Sequence, residues 1–315
     1  MLRQTSRTRL SLRRPSPTCF CGLSTIHHSR GPIELASLVA QPTSDASTNP
    51  GPSLVILHGL FGSKRNWTSL HKAFHRALPQ FSIHTLDLRN HGTSPHATPM
   101  TNIAMAEDVL HYIDSRGLTN VALLGHSMGG KAAMTLALLL ASKGRENLLS
   151  HLLISDIAPT RTVLLPEFVR YIDAMLEVNA LPLGTVRTRT DVDRLLHKHE
   201  PDLSIRQFLM TNLILPAPLQ SHTRPHFHLP LDVLKQAVPE LGWFPYDLND
   251  PKRPQWNGKT LIFRGLKSPY IDETNEDSFK QFFPDSTIES LDTGHWVHVE
   301  KPNEFKDLVI KFVQQ

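Results

Sequence analysis

The sequence contains very few cysteines, and both lie close to its start. Of the 315 residues only Cys19 and Cys21 carry a thiol, and no acidic residue precedes Glu34. Without residues 1–30, the chain has no cysteine for a disulfide, a thiolate nucleophile or a thiolate metal site. A long apolar run is also missing. Residues 121–141 are interrupted by glycines and polar side chains, and their uninterrupted part is too short to cross a bilayer.

The basic charge of the chain is concentrated in residues 1–30. This segment supplies six arginines, many Ser and Thr residues and no acid, so the formal charge of +4 falls to −2 without it. Such a composition is typical of a mitochondrial transit peptide, and the alternative is a basic tail that binds anionic surfaces. No uninterrupted apolar stretch follows the arginines, which argues against a secretory signal. We therefore expect a matrix protein whose folded domain spans residues 31–315. The charge gives no argument for nucleic-acid binding.

A nucleophile-elbow pattern stands near the middle of the folded domain. Gly125 and Gly129 flank Ser127, after an apolar run that begins at Val121 and before an Ala- and Leu-rich helix former. A sharp strand-to-helix turn holds the serine in a strained conformation, so residues at the flanking positions must lack side chains that would collide. The turn also places the serine at a helix N-terminus, where free N–H groups favour negative charge. A tight turn without chemistry is the alternative, and matching partner residues elsewhere favour the nucleophile.

Strands and helices alternate through much of the folded domain. Short apolar runs predict strands at 33–40, 53–57, 81–88, 121–125, 152–155, 260–264 and 287–291. This α/β alternation indicates a mostly parallel sheet with a ligand site at the carboxyl ends of its strands. The alternation lapses from about 160 to 257, where helical stretches predict an inserted lid. These stretches lie near 165–180, 191–200, 204–215 and 231–239, separated by proline-rich loops such as 216–218.

Six motifs follow one another in a fixed order from about residue 54 to the C-terminus. They are His58-Gly-Leu-Phe-Gly-Ser63, Arg89-Asn-His-Gly92, Gly125-His-Ser-Met-Gly-Gly-Lys131, Asp156-Ile-Ala-Pro159, Ser268-Pro-Tyr270 and Gly294-His-Trp-Val-His298. Together they resemble the α/β-hydrolase superfamily, and in particular the esterase family of abhydrolase domain-containing protein eleven. That family includes bacterial short-acyl esterases and fungal mitochondrial ethanol acetyltransferases. The resemblance implies an α/β-hydrolase fold, a mostly parallel central sheet flanked by helices with an inserted helical lid. Residues 141–150 depart from it as a longer connection.

A serine nucleophile needs a base that takes its proton and returns it to the leaving group. His295 is the candidate, on a loop after the last predicted strand, and the glycine before it gives that position the room a catalytic loop needs. His298, further along the same loop, is the alternative base. With an acid between them, the chain order of Ser127, acid and His295 suits this fold.

The acid that orients the histidine has three candidates. Asp156 ends the strand that follows the elbow strand, and the family resemblance also falls on it. Asp272 follows the next strand, where many α/β hydrolases keep their acid. Asp292 lies three residues before His295, too close in sequence to reach its ring easily. We favour Asp156 and keep Asp272 as the alternative.

Negative charge on a tetrahedral intermediate requires backbone donors in fixed positions. The expected pair is the N–H of Met128, directly after the nucleophile, and the N–H of Leu60 in the loop after His58-Gly59. Phe61 is the alternative second donor. Three further polar residues are interpreted as holding the loop beneath the site, namely Asp87, Arg89 and His91.

No cofactor or metal is expected. The sequence has no dinucleotide fingerprint, no P-loop and no His-Glu-x-x-His motif. Its histidine clusters are His71 with His75, His197 with His199 and Glu200, and His226 with His228. Lys131 is not expected to activate the serine, because a Ser-x-x-Lys spacing would require lysine at 130. We expect it to make packing or surface contacts.

These observations predict a serine hydrolase that acts on carboxylic esters or acyl thioesters through an acyl-serine intermediate. The expected partner is a small acyl ester or acyl-CoA substrate, with no nucleic acid. The family resemblance also allows an alcohol O-acetyltransferase that makes acetate esters from acetyl-CoA and ethanol. The two reactions differ in whether water or an alcohol resolves the intermediate. A third hypothesis is a non-catalytic binding or stabilising partner of mitochondrial complexes.

Overall fold

A computed structural model describes residues 27–28, 31–43, 51–161, 166–215 and 224–315. Most of the predicted transit peptide, including Cys19 and Cys21, and the predicted loop at 216–218 therefore lie outside the described residues. Within the predicted transit peptide, His27–His28 forms a two-residue strand that runs parallel to Ala97–Thr98.

Seven strands from the described part of the chain form the central sheet. In chain order they are β1 (Ser37–Ala40), β2 (Ser53–Leu57), β3 (Ser82–Leu86), β4 (Val121–His126), β5 (Leu149–Ser155), β6 (Lys259–Gly265) and β7 (Ser286–Leu291). Their spatial order is β7-β6-β5-β4-β2-β3-β1. Every pair is parallel except β1 with β3, so six strands end at the same edge. Parallel strands place their following loops together at that edge.

Within the described residues, ten α-helices accompany the sheet. They are α1 (Thr68–Ala77), α2 (Asn102–Ser115), α3 (Met128–Ser142), α4 (Pro166–Ala180), α5 (Arg189–Leu196), α6 (Leu203–Leu209), α7 (Leu231–Gly242), α8 (Glu273–Phe282), α9 (Val297–Glu300) and α10 (Pro302–Val313). Helices α4 to α7 lie between β5 and β6, in the interval where the sequence predicts a lid. We use the name lid for residues 160–257.

The two faces of the sheet are buried by different helices. Along β2, Val55 and Leu57 pack with the buried residues of α2 and α3, whereas Leu54 and Ile56 pack with those of α1 and α10. Successive side chains of a strand point to opposite faces, so a strand covered on both sides must be apolar throughout. All five residues of β2 are buried, which places this strand deep in the fold beside the elbow strand β4.

The lid differs from the predicted pattern at its centre. The sequence predicts one helix near 204–215, but α6 ends at Leu209 and a 3-10 turn, Met210–Asn212, follows. The chain then forms the short strand Leu213–Ile214, which pairs antiparallel with His226–Phe227. The predicted helix is wrong beyond residue 209, because pairing with a segment further along the chain outweighs the local helical pattern.

Candidate active site

The turn between β4 and α3 has the strained geometry that the elbow pattern predicts. Ser127 has φ 52° and ψ −117°, a backbone conformation that L-residues rarely adopt. A Cβ at Gly125 would lie 2.3 Å from the Gly129 carbonyl oxygen, and one at Gly129 would lie 2.6 Å from the His58 carbonyl oxygen. Only glycine fits at either position, because the obstructing atoms are backbone. The elbow therefore lifts Ser127 out of the buried strand into the cavity above the sheet.

Ser127, His295 and Asp156 form one hydrogen-bonded chain. The Ser127 hydroxyl lies 3.0 Å from His295 Nε2, and the other ring nitrogen, Nδ1, lies 2.7 Å from Asp156 Oδ2. A neutral ring with its proton on Nδ1 donates to the carboxylate and accepts from the serine. The three residues come from the ends of β4, β5 and β7, which meet at the same edge of the sheet. This is the arrangement that nucleophilic catalysis by serine requires.

The Asp156 carboxylate is fully buried and accepts two further hydrogen bonds. The N–H of Gly265 donates to Oδ1 at 2.9 Å, and the Ser268 hydroxyl donates to Oδ2, the same oxygen that faces His295. These donors fix the carboxylate and satisfy its charge inside the protein. No role for Ser268 was predicted, although it lies in one of the six motifs. Its contact is 112 residues away in the chain, and no local pattern indicates it.

The alternative acids and the alternative base do not join this hydrogen-bonded chain. Asp272 is exposed and caps α8, where it accepts from the N–H groups of Thr274 and Asn275. Asp292 is exposed and pairs with Lys267. His298 is buried and stacks on Trp67, with ring centroids 4.2 Å apart. Burial lowers the pKa of His298 to about 3, and among the described residues its Nδ1 has no hydrogen-bond partner.

Two backbone N–H groups beside Ser127 are available for an oxyanion. Within the described part of the chain, neither the N–H of Leu60 nor that of Met128 donates to a protein acceptor. The alternative donor Phe61 is occupied, since its N–H donates to His91 Nε2 at 3.1 Å. The loop approaches the nucleophile closely, because a Cβ at Gly59 would lie 3.3 Å from Ser127 Cβ. The geometry therefore favours Leu60 over Phe61.

Two neutral histidines hold the 58–62 loop from below. The Nδ1–H of His58 donates to the Gly59 carbonyl, and its Nε2 accepts from the N–H of Leu88. The Nδ1–H of His91 donates to the Arg89 carbonyl. Burial lowers the pKa of His58, and it lowers that of His91 to about 3, so both rings stay neutral and keep an acceptor nitrogen.

The polar residues near this loop divide into two groups. His91 contacts it as expected, through the Phe61 N–H, and Asp87 accepts from Lys64, two residues beyond the loop. Arg89 instead forms a buried, bidentate ion pair with Asp108 of α2. A planar guanidinium matches a carboxylate with two parallel bonds, and α2 presents one there.

Another histidine fixes the backbone of His295. The Nε2–H of His126 donates to the carbonyl oxygen of His295 at 3.0 Å. Burial lowers the pKa of His126 well below its ordinary value, with further lowering by the neighbouring His298. In the same loop, Glu300 accepts from the N–H of Gly294 at 2.9 Å. The loop after β7 is thus tied on both sides of His295.

Lys131 is one of the largest fully buried side chains of the described residues. Its Nζ donates to the carbonyl oxygens of Thr160 and Gly242, at 2.9 and 2.6 Å. Burial lowers the pKa of Lys131 to about 7. The amine therefore joins the elbow helix to the two ends of the helical part of the lid. The packing role expected from the sequence agrees with these contacts.

A cavity of about 310 Å³ opens above Ser127. Its apolar wall combines the lid, the 58–62 loop and the loop after β7, with side chains Leu60, Phe61, Trp67, Phe168, Tyr171, Ile205, Phe208, Leu209, Trp296 and Val299. A second cavity, of about 390 Å³, adjoins it and shares four of these side chains, Ile205, Phe208, Trp296 and Val299. Asp202 and Glu300 line the outer cavity. An apolar cavity with a few polar groups is typical of small-molecule sites.

The histidine clusters of the sequence do not converge on a metal site. Among the described residues, no group of three His, Cys, Asp or Glu side chains is placed to hold a metal ion. His71 faces the Thr85 hydroxyl, and His228 faces two backbone carbonyls. No helix in the described ranges is long and apolar enough to cross a membrane.

The parallel sheet, the serine elbow and the inserted helices define an α/β hydrolase. The chain belongs to the α/β-hydrolase fold family, whose profile matches residues 52–302. The predicted family and fold class are confirmed. Two relatives from Xenopus species are named sn-1-specific diacylglycerol lipase ABHD11, and the chain is 37% identical to each. The match to the Xenopus tropicalis protein covers 84% of this chain and 79% of that protein.

Two further relatives widen the range of chemistry in the family. A probable alcohol acetyltransferase of Saccharomyces cerevisiae is 35% identical, over 84% of this chain and 78% of that protein. The solved structure of a marine microorganism esterase superimposes with a TM-score of 0.75 at 26% identity, covering 89% of this chain and 99% of that one. Of these relatives, the Xenopus proteins and the marine protein are named as a lipase and an esterase, and the yeast protein as an acetyltransferase.

Proposed function

We propose that the protein is a serine-dependent acyl hydrolase that cleaves carboxylic esters through an acyl-serine intermediate. The observation that carries this proposal is the hydrogen-bonded chain from Ser127 through His295 to Asp156. It lies at the floor of an apolar cavity, beside two backbone N–H groups with no protein acceptor in the described residues. A fold kept only for binding has no need of all these parts together.

The proposed reaction follows from the positions of these atoms. Ser127 Oγ attacks the acyl carbonyl while His295 Nε2 takes its proton, and Asp156 stabilises the charged ring. The N–H groups of Leu60 and Met128 bind the tetrahedral oxygen. His295 then protonates the departing alcohol and later activates the water that hydrolyses the acyl-serine.

The charges around the cavity favour a neutral ester over an acyl-CoA. Among the described residues that line the catalytic cavity there is no Lys or Arg, and the charged residues of the adjoining cavity are Asp202 and Glu300. The phosphates of coenzyme A would meet carboxylates on this path, which is unfavourable. A volume of about 310 Å³ lies at the lower end of the range for ligand pockets. We therefore propose short acyl esters, and we include glycerol esters because of the lipase relatives.

Alcohol acetylation is the second candidate. The yeast relative named a probable alcohol acetyltransferase supports it, and the first half of the reaction is the same. An alcohol in place of water on the acyl-serine gives a new ester, and an apolar, lid-covered cavity favours that outcome by limiting water.

One panel of substrates tests these proposals. Purified protein is given acetyl to decanoyl esters, a diacylglycerol and acetyl-CoA, each with and without ethanol, and the acid and ester products are measured together. We expect acid from short esters at a kcat/KM at least about tenfold above that for acetyl-CoA, a difference of about 1.4 kcal/mol in barrier. If ethyl acetate is the main product from acetyl-CoA and ethanol, acetyl transfer replaces hydrolysis as the proposed function. No acid or ester from any substrate would contradict both.

We also propose that the protein acts in the mitochondrial matrix after removal of its N-terminal segment. The arginine-rich, acid-free composition of residues 1–30 supports this. The N–H of Ile33 donates to Asp108, and β1 begins at Ser37, so we expect the processed chain to start between about residue 20 and Ile33. N-terminal sequencing of protein from isolated mitochondria measures this. Intact Met1 on cytosolic protein would contradict the proposal.

A further inference from the structure

The 58–62 loop has two kinds of anchor. From the core side, His58 donates to the Gly59 carbonyl and His91 accepts from the Phe61 N–H. The N–H of Gly62 also donates to the Gly59 carbonyl. These bonds fix the peptide that carries the Leu60 N–H and one end of Phe61. Phe61 itself has φ 61°, a conformation that a phenylalanine keeps only when its surroundings enforce it.

The second kind of anchor comes from the lid. The Nδ2 of Asn212 donates to the Phe61 carbonyl oxygen at 2.8 Å, across 151 residues of chain. Asn212 is buried, and the same nitrogen also lies 3.3 Å from the Leu209 carbonyl at the end of α6. The strained residue of the loop is therefore held at its N–H by the core and at its carbonyl by the lid.

Asn212 is in turn held by His228, directly after the second short strand of the lid, His226–Phe227. The ring nitrogen Nδ1 of His228 lies 3.0 Å from the Asn212 carbonyl, and Nε2 lies 2.8 Å from the Gly92 carbonyl of the core. The ring thus spans from the lid to the loop after β3. It keeps the turn that carries Asn212 against the core.

We propose that Asn212 is a positioning residue that sets the Phe61 carbonyl and, through it, the Leu60 N–H that receives the oxyanion. This inference rests on the proposed function. It makes the lid part of the oxyanion site, because displacement of the Met210–Asn212 turn releases the only lid side chain that bonds this loop among the described residues. The substrate would still bind in the cavity with the loop released, but charge on its carbonyl oxygen would be less stabilised.

The test replaces Asn212 with aspartate, which keeps the shape but removes the donor to Phe61. Loss of one oxyanion donor costs about 10²–10³ in kcat, and a displaced donor should cost less, so we expect kcat to fall by about 10–100-fold. KM for a short ester should change by less than about threefold, since ground-state binding is retained. The Ki of a trifluoromethyl ketone, which forms the tetrahedral oxyanion, should rise by the same factor as kcat/KM falls.

Asn179→Asp is the matched control. Asn179 lies in the same lid, and its amide bonds the backbone of Phe227 rather than the 58–62 loop. We expect its kcat and Ki to stay within about threefold of wild type, which separates loss of the Phe61 bond from general loosening of the lid. His228→Leu keeps Asn212 but removes both ring contacts, and it should lower kcat in the same direction.

The outcomes separate this inference from the proposed function. An unchanged Ki and kcat in folded Asn212→Asp, or an equal loss in Asn179→Asp, would overturn the role of Asn212. If Asn212→Asp does not fold, unchanged kcat in His228→Leu overturns it instead. Retained activity in Ser127→Ala would defeat the proposed function itself, whatever the lid variants do.

Discussion

Replacement of Ser127 by alanine is expected to lower ester hydrolysis by about 10⁶-fold, the loss found when the serine of such a triad is removed. Alanine keeps the Cβ at the strained position, where φ is 52°, so the elbow and the fold should persist. His295 then has no hydroxyl to deprotonate. Stopped assays on the short ester preferred in the panel measure the effect, with circular dichroism to verify the fold.

A fluorophosphonate probe provides an independent reading of the same residue. It should label the wild-type protein once and Ser127→Ala not at all. Ser204→Ala is the matched control, because Ser204 is exposed beside the adjoining cavity and should not affect labelling. Label that persists in Ser127→Ala would assign the nucleophile to another residue.

The second large effect is expected at Asp156. Its carboxylate orients the His295 ring and stabilises the ring's charged form, and changing such an acid to its amide lowers kcat by about 10³–10⁴-fold. In Asp156→Asn, the group that faces His295 Nδ1 can be an amide donor, which favours the wrong tautomer of the ring. The buried amide keeps its shape, so the fold should survive. The measurement is kcat for one ester at saturating concentration.

Asp272→Asn is the control for this prediction. Asp272 is exposed at the start of α8, and asparagine is an equally good cap, so turnover should stay within about twofold. A large loss of turnover in Asp272→Asn together with a small loss in Asp156→Asn would show that Asp272, after β6, is the acid that orients His295.

The parts of this site that could be predicted are those that leave a short pattern in the sequence or follow directly from the order of the strands. Gly125 and Gly129 are required by backbone atoms close to them, so the elbow is visible as a five-residue pattern. The strand before it is fully buried and reads as an apolar run. Strands that end at one edge bring their following residues together, which is why Asp156 and His295 could be placed near Ser127 without any structure.

The contacts that the sequence did not predict depend on tertiary pairing. Ser268 reaches Asp156 from a loop 112 residues further along, and nothing in its neighbours marks it. Asn212 falls in a segment with a helical pattern, but it ends a 3-10 turn directly before the strand that pairs with His226–Phe227, and its amide bonds Phe61. The ion pair of Arg89 with Asp108 was not predicted either, because Asp108 lies on α2 and the rotation of that helix about its axis is not evident from the sequence.

The Lys131 amine has a consequence for building chimaeras of this family. Its two acceptors, the carbonyls of Thr160 and Gly242, stand at the two ends of the helical part of the lid, where that part would be cut out and another grafted in. A transplanted lid that brings no carbonyl to these points would leave the Lys131 ammonium buried without acceptors. If the amine stays charged, this lowers the stability of the fold by several kcal/mol. Exchanges that keep residues 160 and 242, with both cuts between them, or that pair the new lid with Lys131→Met, should therefore yield soluble hybrids. Cuts outside these residues should not, unless the new lid supplies both carbonyls.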